Sequence, residues 1–115
     1  MNTNIQARDF SLTDALSVFI RNRINFQFAS RSDQIQRIKV RLSDVNGPKG
    51  GEDKCCKVTV TLPRLKEIVI EEVQADLYVA ISRAMDRASR TVHRRLEKMH
   101  DSKRRFHDPK NLNQE

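Results

Sequence analysis

Arg37-Ile38-Lys39-Val40-Arg41-Leu42 alternates charge and hydrocarbon without a break. Successive side chains of a β-strand leave on opposite faces. The pattern therefore predicts a strand that buries Ile38, Val40 and Leu42 and leaves Arg37, Lys39 and Arg41 in water. The pattern recurs twice downstream. Val58, Val60 and Leu62 alternate with Lys57, Thr59 and Thr61, and Ile68 and Ile70 alternate with Glu67, Val69 and Glu71. Strands buried on one side only favour an antiparallel sheet. Pro63-Arg64 supplies a tight turn between the last two strands. Asn46-Gly47-Pro48-Lys49-Gly50-Gly51 reads as a flexible loop ahead of Lys57, too long for a two-residue hairpin.

Upstream of this sheet, residues 3–8 fit a first short strand with Ile5 and Ala7 on one face. Ser11 is placed to cap a helix, with Asp14 near the positive end of its dipole. Apolar residues then recur at helical spacing, Leu12, Leu16, Phe19, Ile20, Ile24 and Phe28, to an end expected near Ala29. Ser30-Arg31-Ser32-Asp33 is a polar connection. Downstream, Asp76 caps a longer helix with a continuous stripe of Leu77, Ala80, Ile81, Ala84, Met85, Ala88, Val92, Leu96 and Met99.

The expected fold is α+β: strand, helix, three strands, helix, with a four-stranded sheet and both helices packed on its one apolar face. Leu16, Ile20, Ile38, Val40, Val58, Val60, Ile81, Ala84, Ala88 and Val92 form the expected core. The domain spans residues 1–100. Residues 101–115, polar and broken by Pro109, are expected to be a mobile tail.

The chain has 115 residues, 37% hydrophobic and 32% charged, which suits one modest globular domain. No apolar run approaches the roughly 18 to 20 residues of a membrane span, and the N-terminus lacks the pattern of a secretory signal. Cys55 and Cys56 are adjacent. Strand neighbours point to opposite faces, so they are read as reduced thiols, as in a cytoplasmic protein. His93, His100 and His107 lie elsewhere along the chain, so no metal site is expected. Ser, His and Asp have no spacing that fixes a triad. Gly47-Pro48-Lys49-Gly50-Gly51 lacks the spacing of a phosphate-binding loop. No enzyme activity, cofactor, small-molecule substrate or membrane partner follows from these residues.

Charge is the informative quantity. The formal net charge is +7, and between Arg83 and Arg105 nine basic residues face only three acidic ones. Arg83, Arg87, Arg90, Arg94 and Lys98 are spaced four, three, four and four. At about 100° per residue they share an arc of roughly 80°, centred roughly 140° from the apolar stripe, over about 22 Å of axis. Asp86 and Glu97 are the only acids between Arg83 and Lys98, so neighbours on the helix do not neutralise the row. Arginine forks suit phosphate, and the row is read as a nucleic-acid-binding surface. An acidic protein partner or a merely solvated face are the other readings.

On the outer face of the sheet, Arg37, Lys39, Arg41 and Lys57 stand against Glu67 and Glu71, and ordinary cross-strand ion pairing is the expected arrangement. Phe10, Phe19, Phe26, Phe28, Phe106 and Tyr78 do not fall on alternating strand positions, so the sheet is not a base-stacking platform of the RNA recognition motif type. Tyr78 is read as a packing residue with a wet hydroxyl.

Several stretches resemble one family. Asn4-Ile5-Gln6-Ala7 followed by Leu12-Thr13-Asp14-Ala15-Leu16 is similar to the first strand and helix start of the ribosome hibernation-promoting factor family, also called ribosome-associated inhibitor or sigma-54 modulation protein. Asp76-Leu77-Tyr78-Val79-Ala80-Ile81 is similar to its helix signature, and Asp86-Arg87 and Arg90 continue in register. Asp44-Val45-Asn46-Gly47-Pro48-Lys49-Gly50-Gly51, with Asp53-Lys54, resembles a short proteobacterial branch. The match covers roughly residues 3–99.

The resemblance implies a translation inhibitor of idle ribosomes, cytoplasmic and monomeric when free. Its partner would be the small ribosomal subunit and its ribosomal RNA, bound in the decoding region on the path of messenger and transfer RNA. By position, the implied RNA contacts are Arg23, Arg83, Arg87, Arg90, Arg94 and Lys98. An older family name leaves a second reading, a protein-binding regulator such as of a sigma factor. The chain departs from the family at Phe26, where a lysine is usual, and in the longer glycine-rich loop. No second domain of the kind that pairs ribosomes is expected after the long helix.

Overall fold

The computed structural model describes residues 1–45 and 53–107, with side chains to residue 101. Its elements run β1 (Asn2–Ala7), α1 (Asp14–Phe28), a short 3-10 helix (Ala29–Gln34), β2 (Arg37–Asp44), β3 (Lys54–Thr61), β4 (Ile68–Gln74) and α2 (Leu77–His107). The sheet order is β1-β2-β3-β4. Both helices lie on one face of it, as the strand periodicity requires. The ten residues expected in the core are all buried. Around them pack Ile24, Phe28, Leu42, Cys56, Leu62, Ile68, Met85 and Leu96. Each large aliphatic side chain taken fully out of water contributes roughly 1.5–3 kcal/mol.

Pairing differs from the expectation at one edge. β2–β3 and β3–β4 are antiparallel, but β1 runs parallel to β2, with Ile5 beside Val40 and Ala7 beside Leu42. The cause is the connection. α1 carries the chain back along the sheet, and a strand followed by a crossover helix re-enters parallel. Alternation within a strand reports which face is buried and not the direction of its neighbour.

The helix starts show cap chemistry at work. Thr13, not Ser11, caps α1: its backbone is extended (φ −74°, ψ 162°), and its Oγ1 accepts from the Leu16 amide at 3.2 Å. Leu12 misplaces the start because it packs on the core from the lead-in segment. Asp76 caps α2 as expected. Its carboxylate accepts from the Tyr78 amide at 2.8 Å, and its carbonyl accepts from Ala80 at 3.0 Å.

α1 ends at Phe28, one residue before the expected Ala29, and the polar connection after it is wound as the 3-10 helix. Between β3 and β4, Leu65 N–H donates to the Leu62 carbonyl at 3.3 Å, and Arg64 sits at φ 66°. With Pro63 ahead of it this is a type II turn, whose third position normally takes glycine.

The glycine-rich loop expected at Asn46–Gly51 lies outside the described residues. At its base, Lys54 Nζ lies 3.1 Å from both Asp44 and the buried Asp53. The hydrogen bonds it donates to Asp53, then Asp44, hold the lysine's pKa above its ordinary value. The backbone of α2 continues helical to His107, and residues 108–115 lie outside the described residues. Among the described residues no helix is long and apolar enough to cross a membrane.

Candidate nucleic-acid interface

The arrangement of α2 follows from its sequence. The stripe Ala80, Ile81, Ala84, Met85, Ala88, Val92 and Leu96 is buried against the sheet, which points the opposite arc outward. Arg83, Arg87, Arg90, Arg94 and Lys98 are all exposed on that arc. Two consecutive residues, about 100° apart on the helix, show what flanks it. Asp86 faces α1, where Arg23 Nη2 reaches it at 3.0 Å and Gln27 also donates to it. Arg87 faces β4, where its Nη1 donates to the Glu72 carboxylate and to the Glu71 carbonyl. By helical geometry Arg90 stands on the crest between these flanks. Arg94 and Lys98 stand on the β4 side of the crest.

The six residues implied as contacts therefore do not form one cluster of equals. Five share the outward arc of α2. Arg23 lies across the seam with α1, with a side chain only 25% exposed, and it also donates to the Ser82 carbonyl at 3.4 Å. Its guanidinium carbon is 6.0 Å from the centroid of the Phe26 ring, which is 78% exposed. Nearer the start of the seam, Phe19 meets Tyr78 edge-on at 4.8 Å, so Tyr78 packs as expected.

Within the arc, Arg87 is tied to Glu72. Arg90, Arg94 and Lys98 have no ion pair among the described residues. The partner of Arg87 was not found from the sequence, although a signal exists. Carrying the alternation of β4 past Ile68 and Ile70 puts Glu72 on the helix-covered face. The hydrogen bond from Arg87 holds the Glu72 carboxyl below the usual glutamate range.

The open face of the sheet also departs from expectation. Lys57 lies opposite Glu71 in the register, yet no ion pair joins Arg37, Lys39, Arg41 or Lys57 to any carboxylate among the described residues. The two carboxylates are engaged otherwise: Glu67 accepts from Thr61 Oγ1 at 3.2 Å, and Glu71 accepts from Cys55 Sγ at 3.6 Å.

Both thiols are free and buried. Burial pushes Cys56 up to about 12 and raises Cys55, so both stay protonated at neutral pH and are poor nucleophiles. Among the described residues no group of three or more His, Cys, Asp or Glu side chains could hold a metal ion.

An α+β domain that presents a long cationic helix outward from its sheet is the class these features define. Comparison with known proteins makes it particular. A model of the sigma 54 modulation protein / S30EA ribosomal protein family matches residues 3–100, and the chain belongs to that family. The structure of the Thermus thermophilus Protein Y N-terminal domain is similar at TM-score 0.66 and 30% identity, covering 82% of this chain and 98% of that one. A ribosomal subunit interface protein from Coxiella burnetii shares the fold at TM-score 0.71 and 15% identity, covering 84% of this chain and 99% of that one. No curated protein sequence matches. The family is one of ribosome-associated factors and not of enzymes.

Proposed function

We propose that this protein is a ribosome-associated hibernation factor, cytoplasmic, which inhibits translation by binding ribosomal RNA in the decoding region of the small subunit through the outward arc of α2. Arg90, Arg94 and Lys98 carry the reading: three exposed cations on one face of a core-anchored helix, with no ion pair among the described residues. Charges held in place by a packed helix are already ordered for a polyanion, so less freedom is lost on binding. Family membership supports the ribosome as the source of that polyanion. Arg83 extends the row at one end. Arg87 can reach phosphate from its place beside Glu72, and Arg23 would meet RNA only at the edge of the α1 seam.

The test is co-sedimentation with purified small subunits across a salt series. Phosphate contacts release counterions, so affinity should fall with salt at a slope of about 0.7–0.9 per contact. Replacing Arg90, Arg94 and Lys98 together with Ala should weaken binding strongly and make that slope shallower by about two to three. Binding to a protein partner such as a sigma factor, with no small-subunit binding at any salt, would overturn the proposal.

A further inference from the structure

We infer that the open face of the sheet is a second RNA-contact surface, so that the domain bridges two separate RNA segments, one on α2 and one on the sheet. The inference rests on the RNA-binding reading of α2 and adds a site that the reading does not use. Arg37, Lys39 and Arg41 stand in a row on β2, two residues apart, all on the face that the helices leave uncovered. At roughly 3.3 Å per residue the row repeats about every 6.6 Å, a spacing on the scale of phosphates along one RNA strand. Lys57 widens the row, because it lies directly opposite Arg41 in the β2–β3 register.

Two like charges in opposite positions destabilise a strand pair. Glu67 and Glu71 share the face with these four cations but form no ion pair with them among the described residues, which leaves the face net positive. A polyanion would relieve the repulsion.

The surroundings suit a nucleic-acid backbone. Asn4 and Gln6 on β1 lie beside Lys39 and Arg41, and Gln6 already accepts from Arg41 at 3.4 Å. These neutral groups can hydrogen-bond sugars and base edges between the charged contacts. Two shallow depressions flank the row, about 240 Å³ on the β3 side, where Lys39, Arg41 and Lys57 outnumber Glu67, and about 470 Å³ on the β1 side, lined by Arg37, Lys39 and neutral polar residues. Among the described residues the face offers no aromatic ring, so the contact is to phosphates and is tolerant of sequence. The helices cover the other side of the sheet, so one short strand cannot lie on both surfaces.

The experiment counts bound RNA. At low salt, with protein far above the dissociation constant, a labelled uridine oligonucleotide of about ten nucleotides, within the usual span of single-strand sites, is titrated onto the intact chain by native mass spectrometry. Two oligonucleotides should bind. The sheet variant Arg37→Thr, Lys39→Thr, Arg41→Thr should bind one, as should the helix variant Arg90→Ala, Arg94→Ala, Lys98→Ala, and the combination none. Threonine favours strands, and losing Arg41 relieves Lys57, so the sheet variant should melt no lower than the parent. Lys39→Glu, a single reversal in mid-row, gives the same readout should the triple variant fold poorly.

An unchanged count of two in the sheet variants overturns the inference and leaves the α2 reading standing. A helix variant that still binds two overturns the α2 reading instead. A control that removes Arg8, Arg21 and Lys66 as Gln should keep the count at two, and a fall to one there overturns the inference as well. No binding by the intact chain overturns both.

Discussion

On the flanks of α2 the charges are engaged, and on its crest they are not. Arg23 and Asp86 close the seam with α1, and Arg87 and Glu72 fasten the other side to β4. Arg95 adds a bond to the Lys66 carbonyl at 3.3 Å. Further along the same arc, Arg90, Arg94 and Lys98 have no such partner among the described residues. The residue type is the same and the helix is the same. What separates the roles is rotation for Arg90, which 100° steps turn between the two flanks, and axial position for Lys98, which lies about 20° from Arg87 around the helix but about 16 Å further along it. Net charge alone would credit all of them equally with binding. The structure divides them into cations that hold the helix in place and cations that the placed helix displays.

Arg87→Ala should break this division most visibly in stability. It leaves Glu72, whose side chain is only 16% exposed, without its cation. A half-buried carboxylate losing its partner costs about 1–2 kcal/mol, a drop in melting temperature of several degrees for a domain of this size. The effect depends on pH. The Glu72 pKa is depressed in the folded protein, so its contribution is present above the ordinary glutamate pKa of about 4.3 and is lost as pH falls through the folded value. Thermal melts of parent and variant should therefore differ at pH 7 and converge in acid. A gap that persists unchanged below about pH 3, under the ordinary glutamate pKa, would mean that Arg87 acts through packing and not through the ion pair.

Asp86→Ala tests the opposite flank with a smaller effect. Arg23 and Gln27 lose a shared acceptor, but alanine is the better helix former, and the two terms leave a loss of about 1 kcal/mol. The substitution also removes a negative charge next to the crest. RNA affinity should therefore hold or rise while stability falls, measured as urea unfolding beside oligonucleotide binding. Affinity falling in step with stability would show that the flanks and the crest are one binding surface.

Most of the fold was legible because it rests on two periods. Ile38, Val40, Val58 and Val60 repeat every two residues. Ile81, Ala84, Ala88 and Val92 repeat at helical spacing, and all eight are buried. The direction of β1 was not legible, since Ile5 and Ala7 would face the same core from a parallel or an antiparallel strand. The basic arc of α2 was legible for the same reason as its core, being the complement of the apolar stripe. The partition within it was not, because Glu72 and Asp86 act across elements and their meeting depends on tertiary placement. The open sheet face shows the limit most clearly. Opposite charges at Lys57 and Glu71 do occupy facing positions, yet no ion pair joins them among the described residues; Glu71 accepts from Cys55 and Glu67 from Thr61.

The smallest expected effect separates net charge from place. Arg64 occupies the third position of the β3–β4 turn at φ 66°, a region that costs an L-residue with a Cβ roughly 1–2 kcal/mol. Glycine removes that strain but gives back roughly 0.5–1 kcal/mol in unfolded-state freedom. Arg64→Gly should therefore stabilise the protein by about half a kcal/mol, read as a small upward shift in the urea midpoint with an unchanged slope. It also takes one exposed positive charge from a turn that belongs neither to the α2 crest nor to the sheet row. If position governs binding, RNA affinity and its salt dependence should match the parent, while a single Arg94→Ala on the crest lowers both. If total charge governs binding, the two single variants should lose affinity alike, and the distinction between crest and flank would then describe only how the helix is held.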